Sequence, residues 1–238
     1  MKKLTWLFIW GCLLHNWSVV SADTILGFYA GASHWQHDLS DDINSELPQK
    51  DCSETGRVVY FALEHPIPVL PNFKIRHNNI KGERRESIEI ADFGGALLQN
   101  EFSSTADLSH TEIMLYYEVL DNWVNLDLGM AVKQFNGSIR LNHTSEFIRN
   151  ELDDVVPMLY GKGQIDLPFT GLSAFGSIEA LSMGNDEVTD IELGLNYEGR
   201  SGLGGVLGYR TMNTDLDHSG FNADFTVKGF FLGLNYHF

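Results

Sequence analysis

Thr226-Val227-Lys228-Gly229-Phe230-Phe231-Leu232-Gly233-Leu234-Asn235-Tyr236-His237-Phe238 closes the chain and decides how the rest of it is read. Counting back from Phe238, every second residue is bulky and apolar: Tyr236, Leu234, Leu232 and Phe230. His237, Asn235 and Gly233, polar or small, fall between them. Successive side chains of a β-strand point to opposite faces, so one face of this segment suits hydrocarbon and the other a wet or polar interior.

The same two-residue period recurs along the chain. It is plainest in Val124–Phe135, where Val124, Leu126, Leu128, Met130 and Val132 oppose Asn125, Asp127, Gly129, Ala131 and Lys133. Thr24–Trp35, Val58–His65, Phe73–Ile80, Thr111–Leu120, Val156–Leu167, Leu172–Leu181, Val188–Tyr197 and Leu203–Arg210 repeat it. With the terminal segment these make ten strands, each near the length that a tilted membrane-spanning strand needs. The connectors alternate in length. Short ones lie at His65–Asn72, Asp121-Asn122, Pro168–Gly171 and Glu198–Gly202. Between them fall Gln36–Thr55, Lys81–His110, Asn136–Val155, Ser182–Glu187 and Thr211–Asp224, mostly longer and polar. Outer-membrane barrels place short turns in the periplasm, long loops outside and both termini inside, which requires an even strand number. The pattern therefore predicts an all-β, antiparallel, up-and-down transmembrane barrel of ten strands, with eight as the alternative if Phe73–Ile80 and a neighbour are not strands. A soluble β-barrel would alternate too, but with its apolar faces turned inward. The Asn136-Gly137 pair could close a small hairpin above the membrane, and Thr144–Leu152 could form one or two helical turns in the third outer loop.

The N-terminus agrees with export. Lys2 and Lys3 precede an apolar run from Leu4 to Leu14, and Val20-Ser21-Ala22 offers small residues where a signal peptidase reads. The run is too short to span a bilayer. Residues 1–22 thus read as a signal peptide cleaved after Ala22, and 23–238 as the barrel domain. A lipoprotein site at Cys12 would follow a poorly fitting Trp10. The mature chain would keep one cysteine, Cys52, so no internal disulfide can form. Losing Lys2 and Lys3 takes the net charge from −16 to −18, with 14 bases facing 32 acids. Such a chain repels nucleic acid. It can meet divalent cations among lipopolysaccharide headgroups, or simply carry solvated acidic loops.

On this register the interior receives Glu64, Glu112, Glu118, Asp127, Asp166, Glu179, Asp190 and Glu192. Lys74, Arg76, Lys133, Lys162 and Arg210 join them, with Tyr29, Tyr60, Tyr116 and Tyr160. A ten-stranded lumen is narrow, and buried charges must be paired, so the expectation is a salt-bridged polar filling; a narrow channel stays open as an alternative and a general porin does not.

A C-terminal strand closed by an aromatic residue resembles the closing strand and assembly signal of bacterial outer-membrane barrels, which assigns Phe230, Leu232, Leu234, Tyr236 and Phe238 to recognition by the barrel-assembly machinery. The first strand Leu26-Gly27-Phe28-Tyr29-Ala30-Gly31-Ala32-Ser33-His34-Trp35 and the turn Pro66-Ile67-Pro68-Val69-Leu70-Pro71-Asn72 extend the likeness. Together these stretches resemble a family of small, uncharacterised outer-membrane β-barrel proteins of Gram-negative bacteria. The resemblance implies an outer-membrane monomer in contact with membrane lipid and lipopolysaccharide, and carries no reaction.

Two enzyme alternatives find some of their residue types in the sequence. An omptin-like protease would pair acids with a His–Asp couple, and Asp215-Leu216-Asp217-His218 with Asp41-Asp42 offers the residue types, but the surrounding omptin motifs are missing. A lipid A-modifying hydrolase would need Ser, His and acid on one rim. Ser109-His110-Thr111-Glu112 lets His110 and Glu112 converge but turns Ser109 away. His34 and His37 are the closest mature histidine pair, too few for a metal site. The glycines at 202, 204, 205 and 208 precede no helix and form no phosphate loop. Asn142-His143-Thr144 matches a glycosylation acceptor, an accidental match in a bacterial protein. The sequence therefore points to a non-enzymatic structural or surface-interaction barrel and names no catalytic, cofactor or metal residue.

Overall fold

Ten of the segments with a two-residue period close on themselves. A computed structural model describes residues 26–41, 52–93, 96–143, 146–183, 186–218 and 221–238, and all regular structure among them is β. The strands are β1 (Gly27–Asp41), β2 (Cys52–Glu64), β3 (Asn72–Asn79), β4 (Lys81–Phe93), β5 (Ala96–Asp107), β6 (His110–Leu120) and β7 (Val124–Phe135), followed by β8 (Gly137–His143), β9 (Glu146–Leu152), β10 (Val155–Leu167), β11 (Leu172–Met183), β12 (Asp186–Glu198), β13 (Leu203–His218) and β14 (Phe221–His237). The barrel runs β1-β14-β13-β12-β11-β10-β7-β6-β3-β2, antiparallel throughout and closed by the β1–β2 ladder. The C-terminal strand lies beside the first, with Tyr29 opposite His237 and Asp41 opposite Phe225. Phe238 N–H adds a bond to the Phe28 carbonyl at 2.9 Å.

The polarity of this barrel is inverted relative to a soluble one. Phe230 and Leu232 are each 68% exposed on the outer wall, and Leu193, Leu159 and Met130 are similarly bare. Inside, Lys133 and Glu112 are fully buried. The strands sort their residues this way because each odd–even pair along them divides apolar from polar, and a slip of one residue would reverse the two faces.

At the end holding both the first described residues and Phe238, the connections are tight. In the proline turn, His65 N–H donates to Asn72 Oδ1 at 3.0 Å and Leu70 N–H to the Ile67 carbonyl at 3.2 Å. Gly202, with φ of 76°, takes a left-handed conformation that a side chain would strain.

At the opposite end the structure departs from the sequence expectation. Lys81–His110 and Asn136–Val155 are not irregular loops: they carry β4, β5, β8 and β9, a second sheet in the order β4-β5-β8-β9. Each upper strand continues a barrel strand, β4 following β3, β5 preceding β6, β8 following β7 and β9 preceding β10. The junction keeps its hydrogen bonds, with Leu108 N–H to the Ile80 carbonyl at 2.9 Å, Asn136 N–H to Ser109 at 3.1 Å and Phe135 N–H to Asp154 at 2.9 Å. A four-strand arc of the barrel wall is thus prolonged beyond the apolar belt. Glu146–Leu152 is strand β9, so helical turns over Thr144–Leu152 are ruled out for those residues. Asn136-Gly137 is not a hairpin turn either, since Gly137 opens β8 opposite Leu152. Most of Thr211–Asp224 and Ser182–Glu187 is likewise strand, as β13 runs to His218, β14 starts at Phe221 and β11 extends to Met183.

Candidate functional site

The lumen is layered along the barrel axis. Its core is an ion-pair network in which every charged member comes from a different position of the inward-facing register. Arg76 on β3 bonds Glu112 on β6, Glu179 on β11 at 2.5 Å and Glu192 on β12 at 2.5 Å. Arg210 on β13 grips Asp190 with two bonds of 2.9 and 2.6 Å and reaches Asn78 Oδ1 at 2.6 Å. Lys133 on β7 lies 2.6 Å from Asp190, 3.1 Å from Glu112 and 3.7 Å from Glu179. The Arg210 guanidinium also sits over the Trp35 ring, 4.7 Å from its centroid.

Glu112, Glu179 and Asp190 each offer an oxygen within 4.8 Å of the others, the spacing of a carboxylate metal seat. That seat is taken by the Lys133 ammonium, which touches all three. The arrangement is an ion-pair network and not a metal centre.

Hydrogen-bond logic balances the network. His110 Nδ1 lies 2.9 Å from the Leu108 carbonyl and Nε2 lies 2.8 Å from Glu112 Oε1. A carbonyl only accepts, so Nδ1 carries hydrogen. Nε2 then either donates to an ionised Glu112 or accepts a proton from a neutral one. In both cases the His110–Glu112 pair has no net charge. Arg76, Lys133 and Arg210 remain, matched one for one by Glu179, Asp190 and Glu192. A neutral cluster in which each ion faces an opposite charge is the condition under which buried ions are tolerated; Glu179 Oε2, with no hydrogen bond, is held only by the Lys133 charge 3.7 Å away.

Above this layer, toward the second sheet, Ile80, Leu108, Phe135, Leu152 and Val156 form one apolar cluster with Val188, Met212, Phe225 and Val227, all buried. Below it the interior widens into a cavity of about 320 Å³, lined by Tyr60, Lys74, Tyr116, Glu118, Asp127 and Lys162 among others. Tyr116 OH donates to Glu64 at 2.7 Å, Lys74 lies over the Tyr60 ring at 4.9 Å, and Lys162 approaches Asp127 at 3.8 Å. Outside the barrel, at the base of the second sheet, burial opposes ionisation of Asp107, but hydrogen bonds from Ser109 and Lys81 hold its carboxyl below the ordinary value.

The inward residues expected from the sequence all line this interior or its walls. The enzyme constellations do not assemble. His110 and Glu112 meet as expected, but both are buried, and Ser109 Oγ donates to Asp107 at 2.6 Å instead of facing His110. His34 is exposed and His37 buried on the other face of β1, so the pair does not converge. Asp42, and the side chains of Asp41, Asp217, His218 and Asn142–Thr144, lie outside the described residues, as do residues 1–22 with the cleavage site. Phe230, Leu232, Leu234, Tyr236 and Phe238 share the outer face of the closing seam, with Tyr236 and Phe238 packed edge-on at 4.5 Å. Sequence reading missed Asn78 as a member of the network and took His110 only as a partner of Glu112 on the rim; the inward parity of β3 and β6 was the signal that held both.

No protein-family model matches the sequence, and no curated protein matches it. Among solved structures, the chain is similar to Neisserial surface protein A at 9% identity and a TM-score of 0.39, over 89% of this chain and 97% of that one. The translocator domain of the autotransporter NalP from Neisseria meningitidis is similar at 11% identity and a TM-score of 0.42, covering 88% of each chain. Ail, the attachment invasion locus protein of Yersinia pestis, is similar at 11% identity and a TM-score of 0.36, over 90% of this chain and all of that one.

Proposed function

We propose that this chain is an integral protein of a bacterial outer membrane, exported by residues 1–22, whose closed lumen serves the stability of the barrel and whose prolonged outer strands serve contacts at the cell surface. The inverted polarity of the wall carries this reading. Outward leucines and phenylalanines at 61–69% exposure, such as Leu159, Leu193, Phe230 and Leu232, cannot be left against water over so large a continuous belt. Hydrocarbon removes that cost, and a closed ladder leaves no backbone group unpaired within it.

The lumen supports a structural role better than transport. A neutral ion cluster backed by an apolar layer gives a hydrated ion nothing to replace its water. It supports catalysis no better, since the His110–Glu112 contact within the network is sealed from any substrate. The partners that follow are membrane lipid and lipopolysaccharide around the wall, and the barrel-assembly machinery acting on Phe230, Leu232, Leu234, Tyr236 and Phe238 during insertion. A monomer suffices, because the closed barrel offers no unpaired wall edge.

Membrane fractionation of cells expressing the full chain tests the reading. The protein should leave with the outer membrane, run faster on gels unboiled than boiled, and begin at Asp23. Recovery in the soluble periplasm with no heat-dependent shift would overturn it.

A further inference from the structure

A furrow crosses the outer wall diagonally, and its two ends differ in chemistry. The ladder registers align Leu195 with Leu207, Leu207 with Leu232, Leu232 with His34 and His34 with Arg57, one outward residue on each of β12, β13, β14, β1 and β2. The next outward row toward the turns with the tight connections pairs Tyr197 with Gly205, Gly205 with Leu234, Leu234 with Ala32 and Ala32 with Val59. The second row is notched on either side of Leu234, because Gly205 has no side chain and Ala32 only a methyl. Between the rows lies a groove of about 690 Å³. It spans four inter-strand steps of about 4.8 Å, or roughly 19 Å. One leaflet of a hydrocarbon core is about 15 Å deep, so the furrow has the length of one acyl chain.

Its slope is set by the strands. Leu195 lies three residues from the turn end of β12 at Glu198, and Leu207 four from that end of β13 at Leu203. Leu232 lies five from the end of β14 at His237, while His34 and Arg57 each lie seven from the ends of β1 and β2 at Gly27 and Glu64. The apolar end is therefore near the short-turn side. The other end reaches the upper boundary of the belt, where β1 changes outward from Ala32 to His34 and β2 from Val59 to Arg57. There, Asn79 stands opposite Arg57 on β3. His34 and Arg57 are both exposed, and neither makes a hydrogen bond or ion pair with any described residue. Two adjacent unpaired nitrogen donors on the outside of a chain of net charge −16 are complementary to an anion.

We propose that this furrow holds one phosphorylated, acylated saccharolipid of the lipid A type, its phosphate on Arg57 and His34 and one acyl chain lying along Leu232, Leu207 and Leu195, beside the notches that Gly205 and Ala32 leave on either side of Leu234. The inference rests on the outer-membrane reading and deepens it: that leaflet of an outer membrane is built of such lipid, and the basic end faces it. Arg57 fits a phosphate with a two-pronged guanidinium, and Asn79 can add an amide donor.

Native mass spectrometry of the folded, detergent-extracted protein tests it, with added bis-phosphorylated lipid A, dephosphorylated lipid A and phosphatidylethanolamine as separate probes. The wild type should retain lipid A about tenfold better than either of the other two. Arg57→Gln with His34→Gln should abolish that preference. Ala32→Leu with Gly205→Leu, which closes the furrow from the outside, should lower retention of lipid A with the basic pair intact. A Cβ at Gly205 meets only the Gly233 carbonyl, at 3.7 Å, so that variant has room to fold. Heat-dependent gel mobility confirms folding of each. Equal retention of all three lipids by the wild type, or an unchanged preference in the Arg57/His34 variant, overturns the proposal while leaving the outer-membrane reading standing. Absence of the wild type from the outer membrane overturns both.

Discussion

Lys133 is the residue on which the interior turns. Its ammonium occupies the centre of three carboxylates, and the Met212 sulfur lies 3.7 Å from Nζ. Replacing it with Met keeps the volume and removes the charge, leaving Glu112, Glu179 and Asp190 facing one another across at most 4.8 Å. Breaking one partner out of a buried ion network costs about 3–5 kcal/mol, chiefly because the remaining charge is stranded. Lys133→Met should therefore lower the unfolding free energy in urea by that amount. Adding Glu112→Gln removes one stranded acid and should recover part of the loss, giving a coupling of about 1–3 kcal/mol in a double-mutant cycle. Strictly additive losses would show that the two groups do not share a network.

At the scale of elements, the barrel strands were legible and the upper sheet was not, for one physical reason. Alternation is visible only where the two faces of a strand meet different media. Val124–Phe135 runs between hydrocarbon and a charged interior, so its parity is stark. Lys81–Phe93 reads Lys-Gly-Glu-Arg-Arg-Glu-Ser-Ile-Glu-Ile-Ala-Asp-Phe, with charge at consecutive positions and no side reserved for lipid. Glu146–Leu152 carries Phe147, Ile148 and Leu152 in a spacing compatible with a helical face, yet it pairs with β8 along its whole length, a long-range ladder that local spacing does not reveal. The network followed the same rule: the charged inward residues were legible by parity, whereas which of them touch depends on register across the barrel, which one chain segment cannot reveal. The closing strand is where element and assembly meet. At Gly229, a Cβ would stand 1.9 Å from the Gln36 carbonyl, so β14 can approach β1 only because that position is bare. Phe238 adds its N–H to Phe28 at the other end of the same seam. Deleting Phe238 should reduce the heat-modifiable, membrane-embedded fraction several-fold in cells, read by unboiled gel mobility of outer-membrane preparations. Undiminished folded protein would remove the assembly role from this residue.

For the molecule as a whole, the question is whether a barrel of ten strands with a cavity at one end can pass ions. The cavity of about 320 Å³ is continuous with the turn-side interior and lined by acids, tyrosines and two lysines. It ends against Arg76 and Arg210, whose guanidinium groups are bonded from several directions, and beyond them lies the apolar layer of Ile80, Leu108, Phe135 and Val156. A permeating ion would have to shed water, break a neutral network and then cross a dry layer, three costs with no compensating ligand. Folded wild-type protein in a planar bilayer should therefore show no stable conductance steps at moderate voltage. Replacing Arg76 and Arg210 together with Ala removes the two longest side chains across the lumen and leaves Glu112, Glu179, Asp190 and Glu192 facing only Lys133 among the network's permanent cations. In variant protein that keeps its heat-dependent gel shift, brief steps selective for cations are the expected result, because the surplus charge is negative. Stable steps from the wild type would overturn the closed lumen. A folded but silent double variant would place the barrier in the apolar layer and make Phe135 and Leu108 the residues that hold the barrel shut.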